Sequence, residues 1–387
     1  MSINPLVELR NSGQSIWHDG IERRLITSGE LKRLIDEDGL SGVTSNPTIF
    51  ENAIDSSGDY SDQLREQAER QKSASEIYEA LAVRDIRMAA DLLAPVFEKT
   101  DGADGFVSLE CSPLVAHDTT ATIEEVRHLW RVLNRKNVMI KIPATLEGFP
   151  AIEQCVYEGI NINITLIFSL KSYEKTIEAY LRGLERRVAE GKPIDKIASV
   201  ASFFVSRIDT VVDKRLEERI SRAGGEKEKL ESLLGRVAIA NAKMAYQIFK
   251  EVFHGERFAT LKTLGARVQR PLWASTSAKN PAYSDVYYVE ALIGPETVNT
   301  LPPATLKAFR DYGRVRLSIE ENLEEEGAVL ARLEEVGISL DEVTQQVLDE
   351  GVSLFSRSFE KLMKAIQSRR DEIVSGLKGS QSAAAPE

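Results

Sequence analysis

Short apolar segments rich in Val, Ile and Phe alternate along the chain with longer amphipathic segments. Repeated units of this kind are typical of strands joined by helices in a parallel sheet. Eight segments predict strands, at residues 15–19, 42–45, 105–110, 138–142, 162–167, 198–202, 271–275 and 298–300. Eight strands favour an α/β fold closed into a (β/α)8 TIM barrel, and an open doubly wound sheet is the alternative.

Between the predicted strands, apolar residues recur at three- and four-residue spacing, which places them on one face of each helix. One such set is Ile123, Val126, Leu129, Trp130 and Leu133. Two connections, residues 47–104 and 203–270, are longer than a single helix requires, and they predict additional helices. We expect residues 1–378 to form one domain with a helical C-terminal extension over about residues 312–378. The small, polar residues 379–387 predict a disordered tail.

The composition narrows the classes of protein. The 387 residues are 42% hydrophobic and 28% charged, which is the balance of a soluble globular protein with a sizeable core. A net charge of −11 argues against a general nucleic-acid or anionic membrane surface, so a few local cations must hold any anionic substrate. With only Cys111 and Cys155, no signal-like N-terminus and no membrane-length apolar run, the predicted location is the cytoplasm.

Nearly every predicted strand ends in, or is followed by, a polar residue. The carboxyl ends of the strands in a parallel barrel open onto one face, which is where barrel enzymes place their catalytic groups. The polar residues are Asp19, Asn46, Glu110, Lys141, Thr165, Ser202 and Ser275. Strands also end at polar loops for purely structural reasons, so any one of these residues taken alone fits that interpretation equally well.

Lys141 lies within the segment Val-Met-Ile-Lys-Ile-Pro, where strand alternation places it on the same face as Met139. Lysine is rarely buried without a partner or a task, because desolvation disfavours its charged form, and the neutral amine is a nucleophile. Snorkelling at the strand end is the alternative. Asp19 and Glu110 predict the acid and base that aldol chemistry needs, although either residue alone fits a helix cap or an ion pair.

No motif predicts a metal or a nucleotide. The histidines are scattered without the spacing of metal ligands, at His18, His117, His128 and His254. The chain also has no Gly-rich phosphate loop and no nucleophile elbow. We therefore expect neither metal nor cofactor, and a covalent lysine mechanism is the economical interpretation.

Two segments resemble the signatures of the transaldolase family. Residues 39–50 read GLSGVTSNPTIF, and residues 140–145 read IKIPAT, which resembles the motif that carries the family's Schiff-base lysine. Further matches follow in the family's order at residues 17–19, 109–110, 163–169, 202–209 and 273–281. The long C-terminal extension resembles the branch in which transaldolase can be fused to a glucose-6-phosphate isomerase domain.

This resemblance implies a cofactor-free transfer of a dihydroxyacetone unit from sedoheptulose 7-phosphate to glyceraldehyde 3-phosphate. The products would be erythrose 4-phosphate and fructose 6-phosphate, in the pentose phosphate pathway. By the same resemblance, Lys141 would form the Schiff base and Asp19 would deprotonate the C4 hydroxyl. Glu110 and Thr165 would hold the water used in proton transfer.

The resemblance also implies the substrate-binding residues. Asn46, Asn163 and Ser202 would hydrogen-bond substrate hydroxyls, and Thr44 and Phe204 would shape the pocket.

For the phosphate we expect Arg207 and the loop after the seventh strand, since two cations can neutralise a dianion. Better-known family members have an arginine in that loop. This chain has Lys279 there, with Ser275 and Ser277 nearby, and lysine lacks the bidentate fork of arginine. The second phosphate contact is therefore expected to differ from theirs.

Two other functions remain open from the sequence. The first is that of a related, shorter lysine enzyme, fructose-6-phosphate aldolase, which releases free dihydroxyacetone. The resemblance implies Gln and Tyr in that group where this chain has Glu110 and Phe204. The second function is that of a non-catalytic barrel that binds sugar phosphates. The expected partners are small sugar phosphates, with no nucleic acid and no membrane, and the protein is expected to be a monomer or a homodimer.

Overall fold

The computed structural model of the protein describes residues 4–56, 58–222 and 227–382. Eight parallel strands pair in chain order and the first also pairs with the last, so the sheet is a closed barrel. The strands are β1 (Gln14–Asp19), β2 (Gly42–Thr44), β3 (Phe106–Glu110), β4 (Val138–Pro143), β5 (Ile162–Ile167), β6 (Ser199–Phe204), β7 (Arg270–Ala274) and β8 (Thr297–Leu301). The predicted (β/α)8 barrel is confirmed, and the open sheet is ruled out.

Helices connect the strands and continue beyond the last one. They are α1 (Pro5–Asn11), α2 (Arg23–Thr27), α3 (Glu30–Asp38), α4 (Pro47–Ser56), α5 (Ser61–Glu69), α6 (Ala74–Lys99), α7 (Thr119–Leu133), α8 (Gly148–Glu158), α9 (Leu170–Ala189), α10 (Ser206–Ile220), α11 (Lys227–Glu231), α12 (Val237–Phe253), α13 (Glu256–Thr263), α14 (Tyr287–Ala291), α15 (Pro303–Tyr312), α16 (Leu323–Glu335) and α17 (Leu340–Ser382). The two long connections contain several helices each, as predicted. Among the described residues, no helix combines the length and the apolar character that crossing a bilayer requires.

Large side chains fill the amino-terminal part of the barrel. Trp17 in β1 is fully buried and lies in register with Gly42 in β2. A Cβ at Gly42 would lie 2.4 Å from the Trp17 ring, so only glycine fits beside it. The indole Nε1 donates a hydrogen bond to Asp104 at 2.8 Å, which holds the ring in place. The space available for a ligand therefore begins above Trp17, toward the carboxyl ends of the strands.

The last helix, α17, packs on the helices of the first long connection. Thr48 Oγ1 donates a hydrogen bond to Ser358 Oγ at 2.9 Å, and the rings of Tyr78 and Phe359 meet edge to face at 5.4 Å between centroids. These contacts join α17 to α4 and α6, which follow β2. The helical extension expected from the sequence thus packs on the carboxyl-terminal side of the barrel.

The end of α17 differs from the boundary expected near residue 379. The helix runs to Ser382, so residues 379–382 of the predicted tail are helical. The remainder of that tail, residues 383–387, lies outside the described residues.

Candidate active site

A cavity with about 630 Å³ of empty space, part of it open to solvent, lies at the carboxyl ends of the strands. Most of the side chains expected to do chemistry line this cavity: Asp19, Thr44, Asn46, Lys141, Thr165, Ser202, Phe204, Arg207, Ser275 and Lys279. The barrel therefore brings together residues from segments that are far apart in the chain.

Lys141 is buried in the wall of this cavity, with only 5% of the residue exposed. Its Nζ donates a hydrogen bond to the main-chain carbonyl of Ser45 at 3.0 Å, and it lies 3.3 Å from Oε2 of Glu110. The carbonyl of Ser45 is available because β2 ends one residue earlier, at Thr44. A snorkelling lysine would reach solvent, so that interpretation of Lys141 is ruled out.

Glu110 stands behind Lys141 at the end of β3. Burial raises the pKa of the Glu110 carboxyl above its ordinary value, and the positive charge of Lys141 offsets part of that increase. Two buried oxygens, Glu110 Oε2 and Thr165 Oγ1, form no hydrogen bond of good geometry within the described part of the chain. Buried polar atoms in this situation often take their partner from a bound water. Each oxygen can therefore bind a water, and that of Glu110 lies 3.3 Å from the amine.

Asp19 is at the end of β1 and reaches the cavity from another side. Its Oδ1 accepts a hydrogen bond from Thr44 Oγ1 at 3.1 Å. The next helix, α2, has Glu22 at its N-cap position, so Asp19 does not act as a cap. The adjacent His18 points to the opposite face, where its Nδ1 lies 2.7 Å from the carbonyl of Gly20. The carboxylate of Asp19 thus remains available to a bound molecule.

Asn163 and Ser202 form a hydrogen-bonded pair on neighbouring strands. Ser202 Oγ donates to Asn163 Oδ1 at 2.7 Å, and the Asn163 amide donates to Ser108 Oγ at 3.0 Å. Asn163 is fully buried and lies behind the residues that line the cavity, whereas Ser202 is in the lining. The structure therefore brings Ser202 to the cavity and places Asn163 where it orients the Ser202 hydroxyl.

Two cations occupy one end of the cavity. Burial lowers the pKa of the Arg207 guanidinium, whose carbon lies 5.4 Å from the centroid of the Phe204 ring. Lys279 is an exposed residue, but partial desolvation lowers its pKa, and the positive charge of Arg207 lowers it further. Lys279 Nζ donates a hydrogen bond to Ser277 Oγ at 2.7 Å. An anion bound between the two cations would relieve their mutual repulsion, so this end of the cavity is suited to a phosphate.

The backbone at Ser275 shapes this anion site. Its φ of 56° places it in the left-handed region, where residues other than glycine are uncommon. Its hydroxyl lies 3.1 Å from that of Ser206, at the start of α10. Ser275 follows β7, whose last residue is Ala274, so the strand is one residue shorter than expected at this end. This turn directs the following residues, including Lys279, back over the cavity.

Sequence reasoning missed the contribution of α17 to the cavity. Phe355 lines it, and Gly351, one turn earlier, lies beside Arg207, since a Cβ there would be in ordinary contact with the guanidinium at 3.5 Å. Thr300 also lines the cavity, and strand alternation in β8 could have found it. No local signal marks Phe355, because its position depends on how a distant helix packs.

Metal ligands do not converge in the same way. Within residues 4–56, 58–222 and 227–382, no group of three or more His, Cys, Asp and Glu side chains is placed to hold a metal ion. The four histidines lie apart, and three of them are near glutamates: His117 by Glu147, His128 by Glu79, and His254 by Glu296.

Known proteins resemble this chain over nearly its whole length. The family model described as transaldolase/fructose-6-phosphate aldolase matches residues 16–366. A transaldolase of Trichodesmium erythraeum is 48% identical over 373 residues, which cover 95% of this chain and 98% of the relative. A transaldolase 2 of a Nostoc species is 47% identical, with the same coverage. A transaldolase of Acidothermus cellulolyticus is 48% identical, over 94% of this chain and 96% of its own. The chain therefore belongs to the transaldolase/fructose-6-phosphate aldolase family.

Proposed function

We propose that this protein is a transaldolase that transfers a dihydroxyacetone unit through a Schiff base on Lys141. The donor would be sedoheptulose 7-phosphate and the acceptor glyceraldehyde 3-phosphate, giving erythrose 4-phosphate and fructose 6-phosphate in the pentose phosphate pathway of the cytoplasm. The main support is a buried lysine, 3.3 Å from a buried carboxylate, in a cavity with a cationic end. The relatives named transaldolase support the same reaction.

The first step would be attack of the Lys141 amine on the C2 carbonyl of the ketose. The amine must first lose a proton, and Glu110 is the nearest carboxylate. Burial favours the protonated form of Glu110, so transfer of the proton from Lys141 to Glu110 replaces a buried ion pair by a neutral pair. A water between Glu110 and Thr165 would then carry protons to and from the carbinolamine, which loses water to give the imine.

Cleavage would follow at the C3–C4 bond. Asp19 would take the proton of the C4 hydroxyl, the C4–O bond would become a carbonyl, and the electrons of the C3–C4 bond would pass to the imine. The aldose product leaves and the three-carbon unit stays on Lys141. The acceptor aldehyde then enters, and the same steps run in reverse. Thr44 would keep Asp19 in position through its 3.1 Å hydrogen bond.

The remaining residues would bind the substrate. Arg207 and Lys279, with Ser275, would hold the phosphate at the cationic end of the cavity. Asn46 and Ser202 would hydrogen-bond substrate hydroxyls, and Asn163 would take part through its bond to Ser202. Phe204 would form an apolar wall beside the guanidinium.

The helical extension would belong to the same domain as the barrel and complete this site. Phe355 closes part of the cavity from above, where it would limit the access of water to the imine. A covalent three-carbon unit is then more readily passed to an aldehyde than lost by hydrolysis.

Covalent trapping tests the proposed function. Incubation with fructose 6-phosphate and borohydride is expected to attach a three-carbon unit to Lys141, because reduction of the imine gives a stable secondary amine. Peptide mapping by mass spectrometry would locate the adduct, and omission of borohydride is the control. If no adduct forms at Lys141, the non-catalytic sugar-phosphate-binding barrel becomes the better interpretation.

Dependence on an acceptor separates transfer from release. With fructose 6-phosphate as the donor, we expect rapid turnover only when erythrose 4-phosphate is present, because the three-carbon unit needs an aldehyde to receive it. Initial rates of glyceraldehyde 3-phosphate formation, with and without the acceptor, would measure this dependence. Release of free dihydroxyacetone at a rate unaffected by the acceptor would instead assign the chain to the fructose-6-phosphate aldolase activity.

A further inference from the structure

Two buried aspartates follow the proposed phosphate-binding arginine on α10. Asp209 and Asp213 are 1% and 6% exposed, and they lie one helical turn apart, after Arg207. Burial and, secondarily, the charge of Asp213 raise the pKa of Asp209 to about 7. Burying two acidic groups this close together is unfavourable unless each is well hydrogen-bonded. The proposed reaction uses neither of them.

Each aspartate accepts a hydrogen bond from a tyrosine that belongs to the segment after β7. The hydroxyl of Tyr288 donates to Asp209 at 2.9 Å, and the hydroxyl of Tyr283 donates to Asp213 at 2.7 Å. The second oxygen of each carboxylate accepts a backbone amide near the start of α12: that of Asp213 from Gly235, before the helix, and that of Asp209 from Ala238, in its first turn. Both carboxylates are thus fully engaged in holding other segments in place.

The segment that these tyrosines anchor carries the other proposed phosphate contacts. Residues 275–286 connect β7 to α14, and Ser275, Ser277 and Lys279 in this loop all line the catalytic cavity. Tyr283 lies four residues after Lys279. The helix that carries the aspartates also carries Arg207, near its start. The two tyrosine–aspartate bonds therefore join the two segments that supply the cations.

We propose that Tyr283 and Tyr288, bound to Asp213 and Asp209, are positioning residues that set the separation of Lys279 and Arg207 and so select substrates that carry a phosphate. The inference rests on the proposed function for the identity of the substrate. A lysine has a flexible stem and no planar fork, so its loop must be fixed for its charge to be well placed. We call these two hydrogen bonds the tyrosine–aspartate clamp.

Removal of one hydroxyl tests the clamp. In Tyr283→Phe, the ring keeps its stacking on Tyr287, whose centroid lies 5.2 Å away, but the bond to Asp213 is lost. We expect the dissociation constant of inorganic phosphate, measured by phosphorus NMR titration, to rise roughly fivefold to tenfold. At saturating sedoheptulose 7-phosphate, kcat/KM for glyceraldehyde 3-phosphate relative to that for unphosphorylated D-glyceraldehyde should fall by a similar factor.

A matched control is a tyrosine of α15 that donates to the same loop. Tyr312 donates its hydroxyl to Asp285 at 3.0 Å, but Tyr312 is 52% exposed, so this bond is weak in water. Tyr312→Phe should leave phosphate binding and the substrate ratio unchanged. Asp213→Ala removes the same bond and also the one from the Gly235 amide, so its effect should be at least as large as that of Tyr283→Phe. Adding Tyr283→Phe to Asp213→Ala should change little, because the bond to the tyrosine is already absent.

The outcomes separate the clamp from the reaction. The proposed clamp would be contradicted if Tyr283→Phe bound inorganic phosphate as tightly as the parent does, or if the parent did not bind inorganic phosphate. An equal fall in kcat/KM for glyceraldehyde 3-phosphate and D-glyceraldehyde would also contradict it, because a general structural role would lower both. Phosphate titration does not require turnover, so a parent that binds phosphate but forms no adduct at Lys141 would contradict only the proposed reaction.

Discussion

Replacement of Lys141 by arginine is expected to leave the barrel folded and to lower turnover by at least about 10⁴-fold. The guanidinium stays protonated in proteins, so it has no lone pair with which to attack a ketose. It nevertheless keeps a positive charge beside Glu110, which avoids leaving a buried carboxylate unpaired. Steady-state transfer rates and borohydride trapping would measure the loss, and circular dichroism would check the fold.

A second buried lysine provides the control for this variant. Lys243 is 5% exposed, like Lys141, and its Nζ lies 3.2 Å from Glu326, away from the cavity lining. Lys243→Arg makes the same chemical change at an equally buried lysine. Because Lys243 lies outside the cavity lining, this variant should keep the transfer rate of the parent. Full activity in Lys141→Arg would show that another residue is the nucleophile.

The second large effect is expected at Asp19. Asp19→Asn should reduce kcat by about 10² to 10⁴-fold, because the amide cannot accept the proton of the C4 hydroxyl. The amide oxygen can still accept the hydrogen bond from Thr44, so the fold and the formation of the Schiff base should persist. Rapid trapping of the intact ketose adduct on Lys141, together with slow release of the aldose, would be the signature of blocked cleavage.

A carboxylate at the other end of the barrel is the control for Asp19. Asp104 precedes β3 and accepts the 2.8 Å hydrogen bond from Trp17, far from the cavity lining. Asp104→Asn should lower the melting temperature but keep the kcat of the folded protein. If Asp19→Asn cleaves the donor as fast as the parent does, the proton goes to a different acceptor, and the assignment of Asp19 is wrong.

The strands could be predicted because a buried parallel strand is marked by its own residues. Residues 162–167 were predicted as a strand with the bounds that β5 has, since apolar residues alternate there with Asn163 and Thr165. Strand ends were less certain. β6 was expected to end at Ser202, but it continues to Phe204, because Ser202 faces the cavity inside the barrel. In the sequence, a polar residue inside an interior strand looks the same as a polar residue at the start of a loop.

Candidate catalytic residues could be found for a similar reason. Once Lys141, Asp19 and Glu110 are placed at the ends of parallel strands, closure of the barrel brings them to one face. Their separations could not be predicted. The 3.3 Å between Lys141 and Glu110, and the burial that favours a neutral Glu110, depend on the register of β3 and β4 and on the packing around them.

Local pattern in the chain was enough to specify eight strands, the helices between them and the residue types that converge on one cavity, because periodicity and strand position are properties of neighbouring residues. Long-range packing alone placed Phe355 of α17 in the cavity and joined Tyr283 to Asp213, which is 70 residues earlier in the chain. Contacts of this kind depend on the relative placement of whole helices and loops. That placement comes from the summed packing of the core, and no short segment of sequence contains it.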